Sequence, residues 1–113
     1  MSLDIWLYLE VDAGGPEEAN RITLLSKNIT HNLTGLWRHV GVYETLYHSE
    51  GKTAADILPN LEVAVDHMLE KPDECQTFDS PNGWGTYKDA LPWLQEMVAG
   101  CRRYPKALIG VSR

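Results

Sequence analysis

Hydrophobic and polar residues alternate at the start of the chain. Within residues 3–11, four aliphatic side chains point to one side, and Trp6 and Tyr8 point to the other. The aliphatic residues are Ile5, Leu7, Leu9 and Val11. Because successive side chains of a strand point to opposite faces, this pattern predicts a β-strand whose aliphatic face is buried.

Two further segments predict strands. Residues 12–20 contain glycine and proline and favour a loop, and residues 21–30 predict a second strand that pairs with the first as a hairpin. Residues 107–111 are rich in branched aliphatic side chains, which favours a short third strand.

Between the second and third strands, apolar residues recur three and four positions apart, which predicts helices. One helical stretch covers residues 33–47 and is expected to break at Gly41, and two longer helices cover residues 53–71 and 86–104. The inward residues of the long helices are predicted to be Ile57, Leu58, Leu61, Val65, Met68 and Leu69, and Ala90, Leu91, Leu94, Met97, Val98 and Cys101. The order ββαααβ predicts an α+β fold, in which the helices pack on one face of a small antiparallel three-stranded sheet.

The composition indicates a folded chain with a single domain at residues 1–113. Hydrophobic residues make up 43% of the chain, and the net charge of −6 argues against direct nucleic-acid binding, because phosphate backbones are bound by Lys and Arg. No signal peptide and no membrane-spanning run is recognised, and two cysteines do not make a disulfide framework. We therefore expect a cytoplasmic protein.

The segments that begin the two long helices are the strongest candidates for a ligand site. Each combines glycine with lysine, and a helix N-terminus attracts anions through its unpaired N–H groups and its dipole. Gly51-Lys52-Thr53 resembles the end of a phosphate-binding P-loop, although Leu46 stands where the first P-loop glycine belongs. The predicted ligand-binding residues are Gly51, Lys52, Thr53, Gly83, Trp84, Gly85, Thr86, Tyr87 and Lys88.

These features also have a purely structural interpretation. Thr53 and Thr86 are each followed by Asp three residues later, which resembles a capping box. The aromatic rings of Trp84 and Tyr87 can stack on a base or fill the core. The connector at residues 72–85 is long enough for both helix starts to share one end of the molecule, but it does not require this arrangement.

No complete catalytic or metal-binding motif is present. The histidines lack the Glu-x-x-His and His-Glu-x-x-His patterns, and no Gly-x-Ser-x-Gly nucleophile motif exists. Cys101 is expected to be buried and inert, whereas Cys75 is expected to be exposed in a polar connector. We therefore expect no catalytic residue, no metal site and no cofactor. The histidines are His31, for which a polar network is favoured, and His39, His48 and His67.

Two surfaces are candidates for protein contacts. Trp6 and Tyr8 lie on the sheet face that the helices are not expected to cover, which favours an interface in a homodimer or a higher homo-oligomer. Glu62, Asp66 and Glu70 form an acidic stripe at helical spacing. This stripe is either a solvated face or a surface for a basic partner.

Four stretches of the chain resemble a group of short proteins encoded by actinobacterial genomes and their phages. They are Asp4–Tyr8, Asn28–Asn32, Asn82–Gly85 and Val111–Arg113. The resemblance covers nearly the whole chain and implies a phage origin, for which the expected location is the host cytoplasm. It also implies a context in which small proteins without enzyme motifs act on host defences, by binding a defence protein or by sequestering its nucleotide signal.

Together these observations favour a non-enzymatic binding protein for a small anionic, nucleotide-like ligand. A phage counter-defence protein that sequesters a signal nucleotide would fit this description. The alternative is a protein-interaction module whose acidic or aromatic surface blocks a host protein.

Overall fold

The chain folds as three strands and five helices in residues 1–16 and 20–113, the residues that the computed structural model describes. The sheet has the order β2-β1-β3, and both neighbouring pairs are antiparallel. The predicted α+β fold is confirmed. Residues 17–19 of the predicted loop lie outside the described part of the chain. The elements are β1 (Ser2–Glu10), β2 (Arg21–Thr30), α1 (Thr34–His39), α2 (Tyr43–Tyr47), α3 (Ala54–Glu70), α4 (Pro72–Gln76), α5 (Tyr87–Arg103) and β3 (Leu108–Ser112).

The aliphatic face of β1 is buried only along its first part. Leu3, Ile5 and Leu7 are fully buried, whereas Leu9 and Val11 are each 38% exposed. The expectation that all four predicted aliphatic residues are buried is therefore wrong. The pairing explains this difference, because β3 pairs with β1 only as far as Tyr8 and the hairpin continues beyond it.

The two long helices run antiparallel to each other. At the start of α3, the Ala54 N–H donates to the carbonyl oxygen of Ala107, which lies just beyond the end of α5, at 2.8 Å. At the other end, the Tyr87 hydroxyl at the start of α5 donates to the Met68 carbonyl near the end of α3, at 2.8 Å. The start of each long helix therefore lies beside the end of the other.

The helical layer departs from the prediction in two places. The break at Gly41 is confirmed, since α1 and α2 lie on either side of it. The connector at residues 72–85 contains α4, which was not predicted, and its Cys75 is fully buried rather than exposed. Leu69, predicted to face inward, is 53% exposed in the last turn of α3.

Strand β1, the helices and β3 contribute to one hydrophobic cluster. Its largest fully buried side chain is Trp37, whose ring centroid lies 5.7 Å from that of Trp93. Among the residues that are described, no helix combines the length and the apolar character that crossing a lipid bilayer requires.

Candidate functional site

The two predicted halves of the ligand pocket lie at opposite ends of the helix pair. The segment at Gly51 is held against β3, where its N–H donates to the Ile109 carbonyl at 2.9 Å. The segment at Trp84 is held at the end of β2, where Asn32 Nδ2 donates to the Trp84 carbonyl at 2.9 Å. The shared pocket that the sequence suggested is therefore not formed, because the antiparallel helices separate the two starts.

The start of α3 is a complete capping box. Thr53 Oγ1 accepts from the Asp56 N–H at 3.2 Å, and Asp56 Oδ2 accepts from the Thr53 N–H at 3.1 Å. These bonds from Thr53 hold the pKa of Asp56 below its ordinary value. A carboxylate thus already occupies the position that an anionic ligand would take, which favours the structural interpretation of Gly51, Lys52 and Thr53.

The start of α5 is also faced by carboxylates. Asp79 Oδ1 accepts from the Tyr87 N–H at 2.7 Å, and Thr86 Oγ1 lies 3.3 Å from Asp89 Oδ2 in the first turn. Tyr87 is partly buried and its hydroxyl binds the Met68 carbonyl, so this ring serves the packing of the helices. The positive end of the helix dipole is therefore compensated within the chain.

Beside the start of α5 lies an open cleft of about 540 Å³, which we call the Trp84 cleft. Of the predicted ligand-binding residues, Gly83, Trp84 and Gly85 line it, whereas Thr86, Tyr87 and Lys88 do not. Its remaining walls include Asn28, Thr30, Leu33, Asn82, Asp89 and Trp93.

The Trp84 ring is 69% exposed, although its backbone is held on both sides. The Trp84 N–H donates to Asn82 Oδ1 at 2.9 Å, and its carbonyl accepts from Asn32. One residue further, Ser80 donates its N–H to the Gly85 carbonyl at 3.1 Å. Trp84 is therefore not a core plug, since its side chain points to solvent from a fixed loop.

The opposite wall of the cleft is built by β2 and α5. Trp93 Nε1 donates to the Asn28 carbonyl at 3.0 Å, which covers this part of the sheet edge. The Asn28 side chain in turn donates to Asp4 Oδ1 at 2.7 Å. The end of β2 and the loop at Asn82–Gly85 thus meet at one cleft.

The charge of the cleft does not favour anions. Among the described residues that line it, Asp89 has the one ionisable side chain. Lys52 lies in a separate recess with Glu44, His48 and Asp56, at the start of α3. Lys52 and Lys88 were expected to supply positive charge, and neither lines the Trp84 cleft.

Trp6 and Tyr8, the predicted aromatic interface, are less exposed than expected. Tyr8 is only 5% exposed, and the Arg21 guanidinium lies 4.9 Å from the centre of its ring. Trp6 is half-buried and lies directly over Gly110 of β3. The expectation that both rings lie in water is therefore wrong, because side chains and strands of the same chain cover them.

Other polar groups take structural roles. His31 Nδ1 and the Tyr47 hydroxyl are hydrogen-bonded at 2.8 Å, as expected for a polar network, and burial raises the pKa of Tyr47 to about 12. Glu62, the first residue of the acidic stripe, is paired with Arg102 at 2.6 Å. Burial raises the pKa of Cys75 and brings that of Cys101 to about 11, so both thiols stay protonated at neutral pH.

The sequence interpretation missed most residues of the cleft lining. Asn28, Thr30 and Trp93 come from segments assigned to a strand and a helix, with no local signal for a ligand.

The chain has no match among protein-family models, curated proteins or solved structures.

Proposed function

We propose that this protein is a non-enzymatic binding protein whose ligand lies in the Trp84 cleft with a flat ring against Trp84. The observation that carries the proposal is the 69% exposure of a tryptophan whose backbone is fixed by hydrogen bonds on both sides. Such a ring offers a large apolar face, and little conformational entropy is lost when a ligand stacks on it.

The lining of the cleft indicates the class of ligand. Asn28, Thr30 and Asn82 are neutral polar residues of the lining, and Asp89 supplies a negative charge. These groups favour a planar heterocycle without net negative charge, such as a nucleobase or a nucleoside. An anionic nucleotide has weaker support, since carboxylates already face both helix starts. Sequestration of a signal nucleotide would require that the base stacks on Trp84 and the phosphates point to solvent.

Calorimetry with nucleosides and their 5′-monophosphates tests this proposal. We expect nucleosides to bind more tightly than the monophosphates, because Asp89 repels phosphate. Trp84→Ala should weaken binding about 10-fold, since stacking of one base on an aromatic ring contributes roughly 1–3 kcal/mol. Asp89→Asn should reduce the difference in affinity between nucleosides and their monophosphates, because it removes the negative charge.

Lys52→Ala is the matched control, because Lys52 lies outside the cleft at the start of the other long helix. It should leave nucleoside affinity unchanged. If no nucleoside binds at millimolar concentration, or if Lys52→Ala weakens binding as much as Trp84→Ala, the proposal is wrong.

A second candidate is contact between copies of the chain through the free end of the β1–β2 hairpin. Leu9 and Ile22 are paired across the strands and are 38% and 49% exposed, and Val11 beside them is 38% exposed. Exposed apolar side chains on a pair of strands can form a contact between two copies of a chain, and symmetric dimers are the commonest result. Light scattering should then report a dimer for the wild type and a folded monomer for Ile22→Glu. A monomeric wild type at high concentration would contradict this candidate.

A further inference from the structure

Three side chains from three helices converge on one point of the molecule. His39 ends α1, His67 lies in the last turns of α3, and Glu74 lies in α4. One carboxylate oxygen, Glu74 Oε1, is hydrogen-bonded to His39 Nε2 and lies 3.6 Å from His67 Nε2. The two imidazoles therefore direct the same ring nitrogen toward the same carboxylate.

The spacing of these atoms is close to that of a metal site. The candidate ligand atoms of the three residues all lie within 4.8 Å of one another. A tetrahedral Zn²⁺ ion with bonds of about 2.0–2.2 Å separates its ligand atoms by about 3.3 Å. The ligand atoms, which lie up to 4.8 Å apart, need shifts of only about 1 Å to reach that spacing.

The donor set also has a defined chemistry. Two imidazoles and one carboxylate bind Zn²⁺ in sites that keep one coordination position open, and related sets bind other divalent transition metals. The side chains of His39, His67 and Glu74 are 28%, 33% and 46% exposed, so water can reach the open position.

The surroundings hold the cluster in place. The Phe78 ring lies 4.8 Å from that of His39, and it also packs beside Gly35 of α1. The rings of His39 and His67 are 5.2 Å apart and tilted by 57°. An apolar ring thus covers one side of the cluster, and the imidazoles are oriented before any ion binds.

We propose that His39, His67 and Glu74 bind one divalent transition-metal ion, with Zn²⁺ as the best fit and water as the remaining ligand. The ion would connect α1, α3 and α4, so its binding would stabilise the folded chain. The site lies outside the Trp84 cleft and does not depend on the function proposed for it.

Calorimetric titration of the chelator-treated full chain with zinc chloride is the first test. We expect one ion per chain. His39→Gln, His67→Gln and Glu74→Gln should each weaken binding at least about 10-fold, since even indirect partners of a metal ligand give such losses. Zn²⁺ should raise the melting temperature of the wild type but not that of Glu74→Gln.

His48→Gln is the matched control for this titration. His48 also lies beside a carboxylate, that of Glu44, at 3.8 Å. Among the described residues, however, His48 belongs to no three-residue cluster that could hold a metal ion. The variant should bind Zn²⁺ as the wild type does. Absence of saturable one-to-one binding, or an equal loss in His48→Gln, would overturn the proposal.

A second measurement needs no variant and is therefore independent of any folding defect. In nitrogen NMR spectra of the wild type, one equivalent of Zn²⁺ should shift the Nε2 resonances of His39 and His67. The ring resonances of His31 and His48 should stay in place. No shift at His39 and His67, or a shift at His48 instead, would show that the cluster is only a hydrogen-bonded network.

Discussion

At the scale of single residues, the Trp84 cleft depends on the space left at Gly85. Its backbone has φ of +98°, where side chains other than glycine are strained. A Cβ at this position would lie 3.0 Å from Asn32 Cβ and 3.1 Å from Thr30 Cγ2. Glycine therefore lets the Trp84 loop pack directly on the turn that follows β2.

Gly85→Ala should lower the free energy of unfolding by about 1–3 kcal/mol, the range for strained backbone conformations. Gly83→Ala is the control in the same loop, because Gly83 also has a positive φ, of +77°, but a Cβ there would meet nothing within 4 Å. Urea unfolding of both variants should show the larger loss for Gly85→Ala. Equal losses would mean that the close packing at Gly85 contributes no stability.

The buried thiol of Cys101 predicts a loss of stability at alkaline pH. Burial raises its pKa from 9.0 to about 11, so the folded chain retains this proton where the unfolded chain loses it. Below about pH 9 the thiol is protonated in both states and does not change stability with pH. As the pH rises from about 9 through 11, unfolding is increasingly favoured, by at most about 3 kcal/mol.

The urea midpoint of the wild type should therefore fall between about pH 9 and pH 11. Cys101→Ala should show a shallower fall over the same range, because it has no thiol to ionise. Identical slopes for the two proteins would indicate that other groups cause the alkaline loss.

At the scale of elements, β1 and β3 are joined by a close contact between Trp6 and Gly110. The two residues are partners in the register, and a Cβ on Gly110 would lie 2.1 Å from the Trp6 ring. The indole therefore covers the β3 backbone, and Trp6 is thereby half-buried within its own chain.

Gly110→Ala should destabilise the protein by about 1–3 kcal/mol, as overpacking of a closed contact does. Trp6→Glu should also yield a destabilised protein, because it removes the ring that covers β3. Val63→Glu, at a position of α3 that is 65% exposed, should lower the thermal midpoint much less. A fully stable Trp6→Glu monomer from an oligomeric wild type would restore the interface interpretation.

The packing of α3 and α5 buries one leucine of each helix. Leu61 and Leu94 are fully buried, so Leu61→Ala and Leu94→Ala should each cost about 2–5 kcal/mol. Leu69→Ala removes the same atoms from α3 where the side chain is 53% exposed, and it should cost far less. Denaturant titration of the three variants compares them directly. Similar losses would mean that the helix is rotated relative to its observed orientation.

Local periodicity predicted the elements well, and the reason is physical. Alternation and helical spacing indicate the type of an element and the face on which each side chain lies. The predicted bounds of β2, for example, are the observed ones, Arg21–Thr30. These patterns do not report how far a neighbouring element extends. Leu9 is exposed because the hairpin extends beyond the part of β1 that pairs with β3, and Cys75 is buried because it lies in a short helix that was not predicted.

At the scale of the whole molecule, chain topology decides which candidate sites can form. The connector length allowed both helix starts to lie together, but the antiparallel packing of α3 and α5 places them at opposite ends. The Trp84 cleft and the His39 cluster instead combine residues that are distant in sequence; His39 and Glu74 are 35 residues apart. Sequence spacing carries no information about such sites, which is why neither could be predicted in full.

Binding of a nucleoside to the exposed Trp84 ring can be observed by NMR when the full chain is titrated with adenosine. Four tryptophans give four indole N–H resonances, and Trp84 is the one whose ring is largely exposed, since Trp37 and Trp93 are buried and Trp6 is half-buried. We expect saturable shifts of the Trp84 indole and of the Asn28 and Asn82 amides, with the Trp37 indole unmoved. If the Trp84 resonance does not move at millimolar adenosine, or if shifts spread over the four indoles without saturation, Trp84 does not bind nucleosides.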